Sequence, residues 1–96
     1  MADNSYYVYI LVSFRKVLNI GISRNLRKRI WEHREGVVPR FTKKYHIKML
    51  VYYEIYKDPE EAISREKQLK SWSRVKKIKL IESLNPEWKD LYQELF

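Results

Sequence analysis

Short apolar runs rich in aromatic and β-branched residues mark three predicted strands. The first, residues 6–12, has no charged side chain and predicts a strand buried on both faces. A polar turn at 13–16 leads into a second short strand at 17–22. The connection is too short for a helical crossover, so the two strands should form an antiparallel hairpin. A third strand is predicted at 49–56, where Glu54 is the only charged residue.

Amphipathic stretches after the second and third strands predict helices. Leu26 and Ile30, one helical turn apart, predict a first helix that ends near Glu35. The segment Asp58-Pro59-Glu60-Glu61 is a capping box with proline at the first helical position, so a second helix should run to about Ser71.

Two further segments complete the predicted elements. Ser73 can cap a third helix at about 74–84. Pro86 should begin a last short helical segment that includes Trp88 and Tyr92.

The predicted order is therefore ββαβαα followed by a short tail. It predicts an α+β fold in which a three-stranded, mostly antiparallel sheet is flanked by helices. A chain of 96 residues suffices for one domain and not for two. We expect a single domain over 1–96, with its core at about 6–92.

Composition excludes several classes of protein. Cysteine is absent, which excludes disulfide frameworks, cysteine nucleophiles and thiolate metal sites. No apolar run approaches the roughly 20 residues of a membrane span. Asp3, Asn4 and Ser5 make the start of the chain polar, unlike a signal peptide. We therefore expect a soluble, cytoplasmic protein.

Basic side chains are concentrated in two parts of the chain. The net charge is +8, and residues 14–48 hold eleven basic and two acidic side chains. A second block, 65–79, holds seven basic side chains and one acid, Glu66. Clustered positive charge fits a polyanionic partner such as nucleic acid. A solvated surface that gives solubility is the alternative.

Glu66 is the residue that fits a purely structural role least well. On the second predicted helix it shares an apolar stripe with Ala62 and Leu69. A buried, unpaired carboxylate is costly, so this one should pair with a cation, bind a metal or titrate at a raised pKa. A structural salt bridge is the alternative to a functional role.

Other candidates lie on the first helix and in the hairpin. Arg29 and His33, four residues apart, share a helix face. They form either a hydrated surface pair or a cation and an imidazole at the edge of a cleft, where the guanidinium could hold a phosphate. Tyr7 and Tyr9 lie on one strand face, either as core or as phenols that handle protons. Gly21 indicates a turn or a close backbone approach.

Four short motifs follow one another in a characteristic order. They are Val8-Tyr9-Ile10, Asn19-Ile20-Gly21, Asn25-Leu26-Arg27-Lys28-Arg29 followed by His33, and Arg65-Glu66-Lys67. Together they resemble the GIY-YIG endonuclease domain, over about 6–92. Segments 41–45, 50–54 and 84–88 are similar to those of its small stand-alone bacterial members, described as excinuclease-subunit-like.

The resemblance implies a three-stranded antiparallel sheet flanked by helices. It also implies hydrolysis of DNA phosphodiesters with one divalent ion, Mg²⁺ or Mn²⁺, in a setting such as DNA repair. By resemblance, Tyr9 is the general base or water-orienting group, and Arg29 contacts the scissile phosphate. Glu66 binds the metal, and His33 matches a histidine that many members carry. Asn85 matches a late asparagine near the site.

The second motif departs from the family pattern, because Asn19 stands where tyrosine is expected. Asparagine can donate and accept hydrogen bonds but cannot act as a base or a phenolic acid. Either Asn19 still orients a water, or Tyr7 contributes from the neighbouring strand.

Three functions remain open. The first is a metal-dependent DNA endonuclease, and the second is a catalytically weakened module that binds nucleic acid. The third is a protein-interaction domain. Without a separate targeting domain, we expect structured or branched DNA as the substrate, and no membrane. The expected DNA contacts are Arg24, Arg27, Lys28, Arg40, Lys43, Lys44, Arg65 and Lys67.

Overall fold

Three strands form one antiparallel sheet with the first strand of the chain at its centre. The computed structural model describes residues 5–35 and 47–96, and its strands are β1 (Tyr6–Ser13), β2 (Leu18–Ser23) and β3 (Ile47–Tyr56). The strand order is β2-β1-β3, and both pairings are antiparallel. β1 is buried on both faces, as its uncharged sequence predicted.

The second and third helices begin where their capping residues predicted. The helices are α1 (Leu26–Glu35), α2 (Pro59–Ser71) and α3 (Arg74–Leu84). Asp58 caps α2 by accepting a backbone N–H bond at 3.0 Å, and Ser73 caps α3 in the same way at 3.2 Å. Within the described ranges, no helix is both long and apolar enough to cross a membrane.

The segment after α3 differs from its prediction. Pro86 lies in a turn, and Trp88 has a left-handed backbone conformation with φ of 57°, so neither belongs to a helix. The helical segment is a 3-10 helix at Leu91–Leu95, with Asp90 as its N-cap. Proline favours turns as well as first helical positions, which is why the sequence placed the start too early.

The turn between β1 and β2 is held by a side chain. Ser13 Oγ accepts hydrogen bonds from the backbone N–H groups of Arg15 at 3.2 Å and Val17 at 3.1 Å. Lys16 takes the left-handed conformation, with φ of 68°, that glycine usually supplies in such turns. The hairpin therefore closes without glycine, and the Ser13 hydrogen bonds offset part of the cost of the left-handed backbone at Lys16.

Helices cover both faces of the sheet. On one face α2 and α3 pack through Ala62, Leu69 and Ile81. On the other face α1 packs through Leu26 and Ile30, beside the 3-10 helix. The β1 side chains alternate between these two layers, with Val8, Ile10 and Val12 in the first and Tyr7, Tyr9 and Leu11 in the second. The predicted α+β architecture is confirmed.

A charged network fixes α2 on β3. Arg65 donates to the Glu54 carboxylate through Nε and Nη2, both at 2.9 Å. Tyr56 donates at 2.7 Å, and Tyr52 donates to the same carboxylate. Burial alone would raise the pKa of Glu54, but these hydrogen bonds outweigh it and lower the pKa. Arg65, a predicted DNA contact, is thus engaged by Glu54 and by Gln68 at 2.7 Å.

Candidate active site

The phenol of Tyr9 lies against the backbone of the neighbouring strand at Gly21. The two residues face each other across the β1–β2 pairing. A Cβ atom added to Gly21 would lie 2.4 Å from Tyr9 Oη and 2.6 Å from Tyr9 Cζ. Glycine is therefore required by the close approach of the ring, one of the two explanations that the sequence offered.

Asn19 lies on the same strand as Gly21, two residues before it, and pairs with Leu11. Residues two apart on a strand face the same side of the sheet, so Asn19 shares the sheet face of Tyr9. Its side chain is half-buried. The sheet register therefore places the amide and the phenol on the same face of the hairpin.

Replacement of Gly21 by alanine should lower the free energy of unfolding by about 1–3 kcal/mol, since the added methyl group overlaps the Tyr9 ring. The penalty should be smaller when Tyr9 is phenylalanine, because the nearest overlapping atom is then absent. Urea denaturation of the two single variants and the double variant measures this coupling. Equal penalties in both backgrounds would show that the Tyr9 hydroxyl does not contribute to the requirement for glycine.

Helix α1 presents a cation and an imidazole to the same region. Arg29 is half-buried, and within 5–35 and 47–96 its guanidinium has neither a carboxylate partner nor a hydrogen bond. His33, one turn later, is buried, and its Nδ1 has no hydrogen-bond partner among the described residues. Native proteins rarely leave a buried polar atom such as His33 Nδ1 unsatisfied, and the guanidinium of Arg29 is suited to a ligand with acceptor oxygens.

Charges from both layers reach Tyr9. Burial raises the pKa of Tyr9, the positive charge of Arg29 opposes this rise, and the negative charge of Glu66 adds to it. Burial lowers the pKa of His33, and Arg29 lowers it further against a smaller opposing effect of Glu32. Arg29 of α1 and Glu66 of α2 therefore act on one phenol, although their helices lie on opposite faces of the sheet.

Glu66 is largely sheltered and carries an ion pair. Its side chain is 16% exposed, and its Oε2 lies 3.2 Å from Nζ of Lys70. Lys70 is 55% exposed, so this pair, spaced four residues apart, is worth only about 0.3–0.5 kcal/mol. The sequence predicted the sheltered position and allowed for a salt bridge, but it did not name Lys70. The spacing of four residues on one helix was the available signal.

The carboxylate of Glu66 fits a hydrated divalent ion. The described residues contain no group of three or more acidic or histidine side chains that could enclose a metal. Mg²⁺ commonly binds through one or two carboxylates, with waters and substrate phosphates as its other ligands. The weak pair with Lys70 can be exchanged for such an ion, and the charge of Glu66 acts on Tyr9, so the chemistry of this one carboxylate fits a hydrated Mg²⁺.

The other predicted DNA-contact residues differ in their surroundings. Arg24 stacks on the ring of Tyr6, with 5.4 Å from its guanidinium carbon to the ring centroid. Arg27 stacks on Phe96 at 4.8 Å. Within the described region, two lysines were predicted to contact DNA, Lys28 and Lys67, and both are exposed. Three further predicted contacts lie outside the described residues: Arg40, Lys43 and Lys44.

Tyr7 and Asn85, two further candidates from the sequence, make contacts that stabilise the fold. Tyr7 is buried, with its ring centroid 6.3 Å from that of Tyr53. Asn85 is buried at the C-terminal end of α3, where its Nδ2 donates to the backbone carbonyls of Val51 at 3.0 Å and Lys89 at 2.8 Å. Its Oδ1 accepts the Lys89 backbone N–H at 2.9 Å. Asn85 thus ties the chain after α3 to β3.

Replacement of Asn85 by alanine should therefore lower the free energy of unfolding by about 2–4 kcal/mol, because three hydrogen bonds are lost and buried backbone groups stay unpaired. Urea denaturation measures the change. Gln93, an exposed amide on the 3-10 helix, is the matched control, and its alanine variant should stay within about 0.5 kcal/mol of the parent. An Asn85→Ala variant that keeps its stability would contradict this structural role.

Comparison of this chain with known proteins indicates the same family as its motifs. A model of the GIY-YIG catalytic domain family matches residues 5–79. A UPF0213 protein of Staphylococcus saprophyticus is 36% identical over 78 residues, which are 81% of this chain and 95% of that protein. A UPF0213 protein of Staphylococcus haemolyticus is 36% identical over 77 residues, which are 80% of this chain and 94% of that protein.

A solved structure extends the comparison to the fold. The solution NMR structure of a UPF0213 protein from Bacillus halodurans has a TM-score of 0.60 and 27% sequence identity to this chain. The match covers 90% of this chain and 92% of the other. With a family match over most of its length and relatives above 30% identity, the chain belongs to the GIY-YIG domain family of nucleases, as its motifs predicted.

Proposed function

We propose that this chain is a divalent-metal-dependent endonuclease that hydrolyses phosphodiester bonds in DNA. One observation carries the proposal. The half-buried guanidinium of Arg29 has no counter-ion in the described ranges, yet its charge acts on both Tyr9 and His33. A cation held unpaired beside a phenol and an imidazole is suited to a phosphate that undergoes attack.

Arg29 would bind the scissile phosphate. Its planar guanidinium can donate two parallel N–H bonds to two nonbridging oxygens. Negative charge gathers on these oxygens in the transition state, so the hydrogen bonds strengthen as the reaction proceeds. Partial burial increases this effect, because water screens the charges less.

His33 is better suited than Tyr9 to accept the proton of the attacking water. The pKa of His33 lies below its usual 6.5, so at neutral pH the imidazole is uncharged and can take a proton. The pKa of Tyr9 lies above its usual 10.0, so Tyr9 stays a neutral phenol. We assign to Tyr9 the orientation of the water or phosphate through its hydroxyl group.

Glu66 is the residue that would hold the divalent ion, displacing Lys70 from its carboxylate. When bound, such an ion neutralises charge on the phosphate oxygens. The protein would keep this carboxylate sheltered, with its charge acting on Tyr9. The Glu54–Arg65 ion pair, which holds α2 on β3, supports this role.

Asn19 favours a second candidate function, a module that holds DNA without cutting it. Asn19 occupies the position of the second motif tyrosine, on the sheet face of Tyr9. Its amide can orient a water by donating and accepting hydrogen bonds, but it cannot take a proton. If the tyrosine is indispensable, the binding surface would remain while cleavage is lost.

The cleavage rate should depend on pH through His33. Protonation removes the base, so the rate should be level above neutrality and fall as the pH drops through a pKa below 6.5. Single-turnover cleavage at saturating Mg²⁺ between pH 5 and 9 measures the profile. His33→Gln should abolish the acidic limb along with most of the rate. A rate that keeps rising toward pH 10 would instead identify Tyr9 as the base.

A nicking assay tests the proposed function. Supercoiled plasmid is incubated with the parent protein in Mg²⁺, in Mn²⁺ and in EDTA, and with the Asn19→Tyr variant under the same conditions. We expect the parent to convert supercoiled to nicked DNA with either ion and not in EDTA. We expect Asn19→Tyr to nick at least as fast.

Other outcomes separate the two candidate functions. If the parent is inactive and Asn19→Tyr nicks, the parent is the binding module and one residue disables it. If neither protein nicks but both bind DNA with an affinity that falls as salt rises, the endonuclease proposal fails and the binding module stands. Cleavage that persists in EDTA would contradict the role of the divalent ion.

A further inference from the structure

A cleft of about 320 Å³ opens beside the proposed phosphate site. It lies between the end of β2 and the start of α2. Its walls combine the apolar surfaces of Tyr6, Ile22 and Ile63 with the guanidinium groups of Arg24 and Arg29. Arg29 thus belongs both to this cleft and to the cluster around Tyr9, so the cleft adjoins the position proposed for the scissile phosphate.

The charge of the cleft favours a nucleic acid. None of the described residues that line it is acidic, and two are arginines. Another cleft, of about 730 Å³, is instead lined by three carboxylates, those of Asp58, Glu60 and Glu61, together with one cation, Arg65. Like charges repel, so a polyanion should approach α2 from the arginine side.

The apolar walls of the cleft match a nucleobase better than a sugar-phosphate backbone. Ile63 is 44% exposed and lies three residues before Glu66, on the cleft side of α2. The ring of Tyr6 forms part of the same surface and carries the stacked guanidinium of Arg24. Phosphates gain nothing from an apolar wall, whereas the flat face of a nucleobase packs on aromatic, apolar and guanidinium surfaces.

We propose that this cleft holds the base of one unpaired nucleotide next to the scissile phosphate. The inference rests on the proposed function and adds a substrate class to it. A base inside a paired duplex is stacked and cannot enter a cleft unless it leaves the helix. The protein should therefore prefer DNA that already has an unpaired nucleotide at the cleavage position, as at a bulge, flap or mismatch.

Binding in EDTA tests the preference separately from cleavage. Fluorescence anisotropy compares labelled DNA that has one central unpaired 2-aminopurine with a fully paired duplex and with the same bulge lacking its base. The parent should bind the unpaired base between fivefold and about a hundredfold more tightly than either control DNA, the range for stacking one base. The emission of 2-aminopurine should change on binding.

Matched variants assign the preference to the cleft. Ile63→Ala removes an apolar wall and should reduce the preference, and Ile63→Gln, which keeps the side-chain length, should do so as well. Val75 is 64% exposed on α3 and does not line the cleft, so Val75→Ala should keep the preference of the parent.

The inference is overturned if the parent binds paired, bulged and base-free DNA equally, or if the Ile63 and Val75 variants behave alike. It is also overturned if the parent binds no DNA in EDTA. Failure of the proposed function would look different. In that case the protein would not nick DNA with a divalent ion but would still prefer the unpaired base in EDTA.

Discussion

Replacement of Glu66 by glutamine should slow Mg²⁺-dependent cleavage of DNA by about a hundredfold or more. Glutamine keeps the size of the side chain but removes the negative charge that would hold the divalent ion. DNA affinity should rise slightly, because a negative charge near the phosphate disappears. Since the pair with Lys70 is partly exposed, the melting temperature should change little.

Single-turnover cleavage and anisotropy on the same DNA measure the two effects of Glu66→Gln. Glu61, exposed on the same helix, provides the matched control, and Glu61→Gln should cleave at the parental rate. A Glu66→Gln variant that keeps the parental rate and metal requirement would show that the ion is held elsewhere.

Replacement of Arg29 by alanine should lower the cleavage rate by about a hundredfold to a thousandfold, the usual effect of removing one preorganised donor to developing negative charge. Unlike Glu66→Gln, it should also weaken DNA binding and lower the salt dependence by about one phosphate contact. Arg29→Lys should recover only part of the rate, because an ammonium group cannot make the same paired hydrogen bonds.

The control for Arg29 is Arg15, an exposed arginine in the β1–β2 turn, at the other end of the hairpin from Gly21. Arg15→Ala should leave both the rate and the salt dependence near those of the parent. Equal losses in the two variants would mean that Arg29 contributes only to the general positive charge of the protein.

Local signals explain why most of the fold could be predicted from the sequence. Asp58 and Ser73 each place an oxygen at a helix start, so both helix boundaries followed from single residues. The uncharged run of β1 predicted a strand covered on both faces. The segment after Pro86 could not be read in this way, because its conformation depends on Asn85 and its bonds to β3.

The candidate site also has features that local sequence signals predicted and features that they did not. The pairing of Arg29 with His33 followed from helical spacing, and the sheltered position of Glu66 followed from the apolar stripe of α2. The contact of Tyr9 with Gly21 depends on the strand register, which the sequence leaves open.

Arg65 illustrates the same limit. Its partner Glu54 is eleven residues away on a different element, so the charge of Arg65 suggested a DNA contact but gave no sign of the ion pair with Glu54. Long-range partners of this kind are set by tertiary packing.

The proposed catalytic groups are unevenly divided between the two halves of the chain. Tyr9, Arg29 and His33 all belong to the β1–β2 hairpin and the helix that follows it, whereas Glu66 comes from α2. If α2 detached transiently, Arg29 could still bind a phosphate, but the carboxylate of Glu66 would no longer be in place. For the proposed nuclease, partial unfolding thus produces an inactive DNA-binding form and not an unregulated cutter. Heat or proteolysis that detaches α2 would therefore abolish DNA cleavage before it abolished DNA binding.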